Sequence, residues 1–277
     1  MSELLRNAVE RLRPASTDPT LDAQVLLAHV LGRDRGWLYA WPEYVPDEAT
    51  CRRFQHLVAE RCAGRPVAHL VGAREFWSLP LRVDQHTLIP RPETERLVEV
   101  ALDLDLPDDA RVLDLGTGSG AIALALASER PRWEIVAVDA STQALAIARA
   151  NAARLQLTSV EFVGGNWFAP LAGRARFDLV VSNPPYIADT DPHLQQGDVR
   201  FEPRSALASG ADGLDAIRTI IADAGDHLSA GGWLWLEHGF EQAGAVIDLL
   251  QAAGFGDAAT HHDLAGHARL SGGRWQP

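Results

Sequence analysis

Asn183-Pro184-Pro185-Tyr186 follows an apolar run, Phe177-Asp178-Leu179-Val180-Val181-Ser182, that reads as a buried strand. Neither proline has an N–H to donate, each fixes its own φ, and each drives the residue before it towards an extended conformation, so the strand must end there. What remains is a rigid corner offering the side-chain amide of Asn183, the carbonyl of Pro184 and the ring of Tyr186. Two acceptors held a few ångströms apart match the two hydrogens of a planar –NH2 group. An Asn-Pro turn that merely ends a strand has the same local sequence, so the choice between the two rests on neighbouring segments.

The first of these is Val112-Leu113-Asp114-Leu115-Gly116-Thr117-Gly118-Ser119-Gly120, an apolar strand that runs through an acid into a glycine loop, with the helical run Ala121 to Arg130 behind it. Glycines at alternate positions let the backbone approach a ligand, and the helix N-terminus supplies free N–H groups. Gly116, Gly118 and Ala121 also satisfy the relaxed dinucleotide fingerprint, so a nicotinamide or flavin site stays open at this point. A second strand, Trp133 to Val138, ends in Asp139, about 20 residues beyond the loop, where a carboxylate can take both hydroxyls of a ribose. That feature suits either cofactor. Asp114 and the Asn-Pro-Pro-Tyr corner turn the reading towards S-adenosylmethionine: an acidic glycine loop after a first strand, an acid after the second and this corner after the fourth resemble the amino-methyltransferase pattern. In an open parallel sheet ligands sit beyond the carboxyl ends of the strands where strand order reverses, and strands 1 and 4 would flank that point.

These elements need a scaffold, and 277 residues with 47% apolar content provide for more than one domain with sizeable cores. Residues 1–72 read as a helical domain: Leu21 to Leu31 stops at Gly32, and Asp47 to Ala63 stops at Gly64, each glycine serving as a C-terminal cap. Residues 73–90 carry aromatic and β-branched residues around Leu79-Pro80 and predict a linking β-hairpin. From residue 91 to 277, after a helix from Glu95 to Leu104, β and α patterns alternate. The formal net charge is −12, every basic residue is arginine, and residues 1–75 balance ten arginines against ten acids, so the acidic excess lies beyond them. Such a surface opposes phosphate-backbone binding and argues against nucleic acid as a direct partner. The charged N-terminus and the lack of a spanning stretch predict a soluble, cytoplasmic protein with no membrane partner. Cys51 and Cys62, about 16 Å apart along one predicted helix, are expected as reduced thiols. His261, His262 and His267 lack a metal-ligand spacing, so no metal is expected. Glu237-His238 reads as a strand terminus.

Taken together, the segments Arg65 to Gly72, Leu88-Ile89-Pro90-Arg91-Pro92-Glu93-Thr94-Glu95, Asp114 to Gly120, Asn183 to Tyr186 and Asp198 to Leu207 resemble the release-factor glutamine methyltransferases, the HemK/PrmC family, from end to end. The resemblance implies a class I methyltransferase fold, a Rossmann-like, seven-stranded and mostly parallel sheet, behind a helical substrate-recognition domain. It implies methyl transfer from S-adenosylmethionine to the side-chain amide nitrogen of the glutamine in the Gly-Gly-Gln loop of peptide-chain release factors. By the same resemblance Gly116, Thr117, Gly118, Ser119 and Gly120 pass beneath the methionine part, Asp139 binds the ribose and Trp167 borders the adenine. Asn166 stands where many methyltransferases have Asp. Asn183, Pro184, Pro185 and Tyr186 form the substrate site, with Asn183 also at the edge of the cofactor site and Tyr186 as a wall. An amide nitrogen is a weak nucleophile, and two fixed acceptors, Asn183 Oδ1 and the Pro184 carbonyl, would hold its N–H bonds as it pyramidalises. The corner alone is shared with enzymes that methylate the amino groups of adenine or guanine in nucleic acid, which remains the alternative, with a nicotinamide-dependent oxidoreductase behind it.

Overall fold

Capping side chains set the helices of the first part of the chain. In the computed structural model, which describes residues 1–277, Asp18 accepts from Leu21 N at the start of α2 (Pro19–Leu31), Asp34 from Trp37 N at α3 (Arg35–Ala40) and Asp47 from Thr50 N at α4 (Glu48–Cys62). Each carboxylate satisfies an N–H that the helix leaves free. Gly32 closes α2 in the left-handed region at φ 63°. With α1 (Ser2–Leu12) and α5 (Val67–Val71), these helices bury Leu12, Leu26, Leu27, Phe54 and Val58. They form one compact unit, Met1–Ala73, and the short segment Gln196–Phe201 belongs to it. The link is Arg61, buried between Asp22 at 2.8 Å and Asp198 at 2.7 Å; two carboxylates offset the desolvation of one guanidinium.

The second unit, Arg74–Gln195 with Glu202–Pro277, holds a seven-stranded sheet. Its strands are β3 (Arg111–Leu115), β4 (Glu134–Asp139), β5 (Glu161–Gly164), β6 (Phe177–Ser182), β7 (Leu228–Glu237), β8 (Phe255–His262) and β9 (Ala268–Trp275). They lie in the order β5-β4-β3-β6-β7-β9-β8, and only β9 runs antiparallel to its neighbours β7 and β8. The interiors of the central strands β4, β3 and β6 are near-continuous buried runs, as a sheet covered on both faces requires. One core cluster packs α6 (Glu95–Asp103) and α7 (Ala121–Glu129) on one face, and the other packs α9 (Asp215–His227) and α10 (Ala243–Ala252) on the opposite face. No helix is long and apolar enough to cross a membrane.

The hairpin, β1 (Ala73–Phe76) and β2 (Leu79–Arg82), turns through Trp77 and Ser78, both at positive φ. Expected as a linker, it is instead built into the larger unit, because Phe76 and Leu81 are buried in that unit's core. Its second strand is tied down by Asn151 of α8 (Thr142–Leu155), which is fully buried. Asn151 Oδ1 accepts from Arg82 N at 2.7 Å, and Nδ2 donates to Arg82 O at 3.0 Å and to Ser119 O at 2.9 Å. One amide thus joins the hairpin to the glycine loop. Asn151→Ala strands a backbone N–H and two carbonyls, so it should lower the unfolding free energy by about 2–3 kcal/mol, read by chemical denaturation.

Candidate active site

Strand register decides what meets at the carboxyl edge of the sheet. Leu115 pairs with Ser182 on one side and Val138 on the other, so Gly116, Asn183 and Asp139 leave three adjacent strands side by side. Strand order reverses between β3 and β6, which is where an open α/β sheet forms its crevice. The loop is anchored by Gly116 N and Thr117 N, both donating to Val138 O, and by Gly118 N donating to Asp139 Oδ2 at 2.8 Å. Gly116, Gly118 and Gly120 all have positive φ, the conformation that makes glycine necessary at alternate positions.

The crevice is a cavity of about 440 Å³. Gly116, Gly118, Asp139, Trp167, Asn183 and Pro185 line it. Thr117, Ser119 and Gly120 do not, although the resemblance leads to the expectation that all five loop residues touch cofactor. These three are engaged within the fold: Thr117 Oγ1 donates to Asp114 Oδ2 at 2.6 Å, Ser119 O takes the Asn151 bond, and a Cβ on Gly120 would stand 3.1 Å from Leu124 and 3.3 Å from Ala148. Asp114 is fully buried beneath the loop, and burial pushes its carboxyl up to about 7, against the pull of Thr117 and the Ala123 N–H, with the Asp139 charge adding to the rise. Asp139 is half-buried and raised by burial, while its two oxygens accept from Ser141 N and Gly118 N. Each oxygen keeps further acceptor capacity, so vicinal hydroxyls fit there and would offset the desolvation. Trp167 holds φ 45°, a region uncommon for a bulky residue, and its ring stands close enough to Gly116 that a Cβ there would lie 3.5 Å from it. A flat ring system fits against that indole, and Asn166 lines the same cavity.

Two segments close the other side of the cavity and have no role assigned from sequence: Gln85 to Leu88, through Gln85, His86 and Leu88, and Pro203, Ser205 and Ala206. They are held together by Glu202, whose Oε2 accepts from Ile89 N at 3.0 Å and whose Oε1 pairs with Arg91. The stretch Ile89-Pro90-Arg91 and the segment at 202–207 therefore meet through one buried acid.

At the Asn-Pro-Pro-Tyr corner, Ser182 Oγ donates to Leu115 O at 2.7 Å and locks β6 to β3. Pro184 is buried, and its carbonyl accepts no hydrogen bond from the chain. The Tyr186 hydroxyl donates to Glu237 Oε1 at 3.2 Å, and its partly buried ring packs against the core cluster that holds α9 and α10. Burial, reinforced by the Glu237 charge, raises the phenol and keeps it a donor. Glu237, read from sequence as a strand terminus, is buried at 1% exposure and also accepts from Thr94 Oγ1.

A seven-stranded, doubly wound sheet with a glycine loop at its reversal point and an acid after the next strand defines a methyltransferase-type α/β domain. A solved methyltransferase from Pyrococcus furiosus shares that fold, with a TM-score of 0.54 at 18% identity over 72% of this chain and 90% of that one. The family description "PrmC N-terminal domain" matches residues 3–72, and "Methyltransferase small domain" matches residues 94–199. The release factor glutamine methyltransferase of Pseudomonas aeruginosa is 52% identical over 262 residues, covering 95% of each chain, and that of Vibrio cholerae is 49% identical over 273 residues, covering 98% of this chain and 96% of its own. The chain belongs to the release factor glutamine methyltransferases.

Proposed function

We propose that this enzyme transfers a methyl group from S-adenosylmethionine to the side-chain amide nitrogen of the glutamine in the Gly-Gly-Gln loop of peptide-chain release factors. The observation that carries the reading is the meeting, in one cavity, of Asp139 and the glycine loop with Asn183 of the proline corner. Asp139 would take the ribose hydroxyls, Gly116 and Gly118 would face the methionine part, and Trp167 would border the adenine. When bound, the cofactor supplies an electrophilic methyl on a sulfonium, so the protein has to position a nucleophile rather than activate a leaving group. Asn183 Oδ1 and the free carbonyl of Pro184 accept the two amide N–H bonds and leave the nitrogen lone pair aimed along the cavity. The proton leaves after the nitrogen has become acidic, and solvent takes it; no base is required of the chain. Such positioning accounts for most of the rate. The helical unit serves as the grip for the protein substrate, and its exposed Tyr39, Trp41 and Val45 suit a protein surface.

The test is a mass spectrum of release factor incubated with enzyme and S-adenosylmethionine: one added methyl on the Gly-Gly-Gln peptide is the expected result, and an unmodified peptide refutes the reading. Calorimetry with S-adenosylhomocysteine checks the cofactor residues. Asp139→Ala removes the ribose acceptor and the anchor of Gly118 together, so binding should weaken by about 1–3 kcal/mol, with unchanged affinity the outcome that removes Asp139 from the site.

A further inference from the structure

Glu237 ends β7 with its two oxygens committed to different partners. Oε2 accepts from the Thr94 hydroxyl at 2.7 Å, and Oε1 accepts from the Tyr186 hydroxyl at 3.2 Å. A hydroxyl has one proton to give. Thr94 spends it on Glu237 and is left as an acceptor, which Asn183 Nδ2 fills at 3.1 Å. The polarity of the whole chain, from amide through hydroxyl to carboxylate, is thereby fixed from the buried end. Nδ2 is committed to Thr94, and Oδ1 is the end of the Asn183 amide left for the cavity that this residue lines.

We propose that Glu237, acting through Thr94, is the positioning residue that makes Asn183 present an acceptor rather than a donor to the –NH2 group being methylated. The two ends of an amide are nearly isosteric, so packing discriminates poorly between its flipped states and hydrogen bonding must decide. A flipped Asn183 would set N–H against N–H and repel the substrate. The bond to Tyr186 pins the other end of the same four-residue corner, so one carboxylate holds both. The proposal rests on the methyl-transfer reading and deepens it by assigning what orients its acceptor.

The relay can run backwards. A protonated Glu237 Oε2 would donate a hydrogen bond to Thr94 Oγ1, whose own O–H would then rotate towards Asn183 and be accepted by Oδ1 of a flipped amide. Burial pushes the Glu237 carboxyl up to about 6, with Glu93 adding to the rise and the bonds from Thr94 and Tyr186 and the charge of Arg269 opposing it. Burial lowers the pKa of the adjacent His238, whose ring bonds Ser271 and the Gly239 carbonyl rather than Glu237. Arg91 acts on the Tyr186 side of the network. The acceptor state is thus present above the Glu237 pKa and lost as pH falls through it.

The test measures kcat with release factor and S-adenosylmethionine both saturating, beside S-adenosylhomocysteine affinity by calorimetry. Thr94→Val keeps the volume and removes the hydroxyl, so kcat should fall roughly 10- to 100-fold while cofactor affinity stays within about twofold; Thr94→Ser should restore most of the rate. Wild-type kcat should drop about tenfold per pH unit below about pH 6, a reading that needs no substitution. A Thr94→Val enzyme with wild-type kcat, a Ser variant no faster than the Val variant, or a wild-type kcat flat down to about pH 5 overturns the relay. Wild-type enzyme that transfers no methyl group overturns the underlying reading instead.

Discussion

Asn183→Ala should lower kcat on release factor by about 10²-fold or more, the scale of removing one preorganised polar group from a transition-state site. The substitution deletes Oδ1 but leaves the backbone corner intact, because Pro184 and Pro185 fix their own φ and Ser182 remains bonded to Leu115. Thr94 keeps its bond to Glu237. Affinity for S-adenosylhomocysteine should therefore change by less than about tenfold, a loss smaller than one charged hydrogen bond, and the damage should appear in the methyl-transfer step. Asn183→Asp separates acceptor loss from disruption of the relay. It keeps an oxygen facing the cavity, yet it has no N–H for Thr94, whose single proton must then serve two carboxylates, the introduced one and that of Glu237. Rapid-quench single turnovers at saturating cofactor read both variants. An alanine variant with wild-type kcat would reduce Asn183 to a strand-ending residue.

What the sequence disclosed about the site is what lies within one strand–loop–helix unit. The glycine loop, Asp139 and the proline corner each follow an apolar run, and parallel register alone then sets Gly116, Asp139 and Asn183 side by side. Helix ends at Gly32 and Gly64 were legible for the same reason, since positive φ at the end of a periodic segment is a local signal. Thr94 and Glu237 were not, because 143 positions separate them and neither looks unusual beside its neighbours. One trace was present: an acid directly after the apolar run Trp233 to Leu236 is a charge entering a core, and such a charge needs partners. The bond from Tyr186 to Glu237 was not legible either, because a proline pair fixes backbone direction and leaves χ1 open. The segments that close the cavity, Gln85 to Leu88 and Pro203 to Ala206, meet through Glu202, a contact that no hydrophobic period encodes. The run Asp198 to Leu207, a single block in sequence, divides at Phe201, because Asp198 is drawn to Arg61 while Glu202 is drawn to Ile89 and Arg91.

Gly213→Ala should be strongly damaging although Gly213 lies outside the cavity lining. Gly213 is buried at φ 79°, and a Cβ there would stand 2.2 Å from the Tyr186 carbonyl oxygen and 2.8 Å from Gln242 Nε2. The obstacle is backbone, so no rotamer change can relieve it. That same oxygen accepts from Gln242 Nε2 at 3.0 Å, which also reaches Asp212 O at 3.2 Å, while Gly239 N donates to Gln242 Oε1 at 2.8 Å. Beyond the corner, Ile187 N donates to Leu207 O and Ser209 N to Ile187 O, both at 2.9 Å, so the chain after Tyr186 cannot slide away. The loop and the corner must therefore separate by about an ångström, with left-handed φ adding roughly 1–2 kcal/mol for a residue with a Cβ. We expect a loss of about 2–4 kcal/mol in unfolding free energy and, because the displaced Tyr186 carbonyl ends the four-residue corner whose Asn183 and Pro184 supply the acceptors, a fall in kcat of about 10²-fold even well below the melting temperature. Gly244→Ala is the control: a Cβ there meets nothing within 4 Å, and Gly244 lies in α10, so alanine should hold or raise stability without touching the rate. A Gly213→Ala protein that melts and turns over like the wild type would mean that the corner yields without cost, and the fixed geometry assigned to the Asn183 and Pro184 acceptors would fall with it.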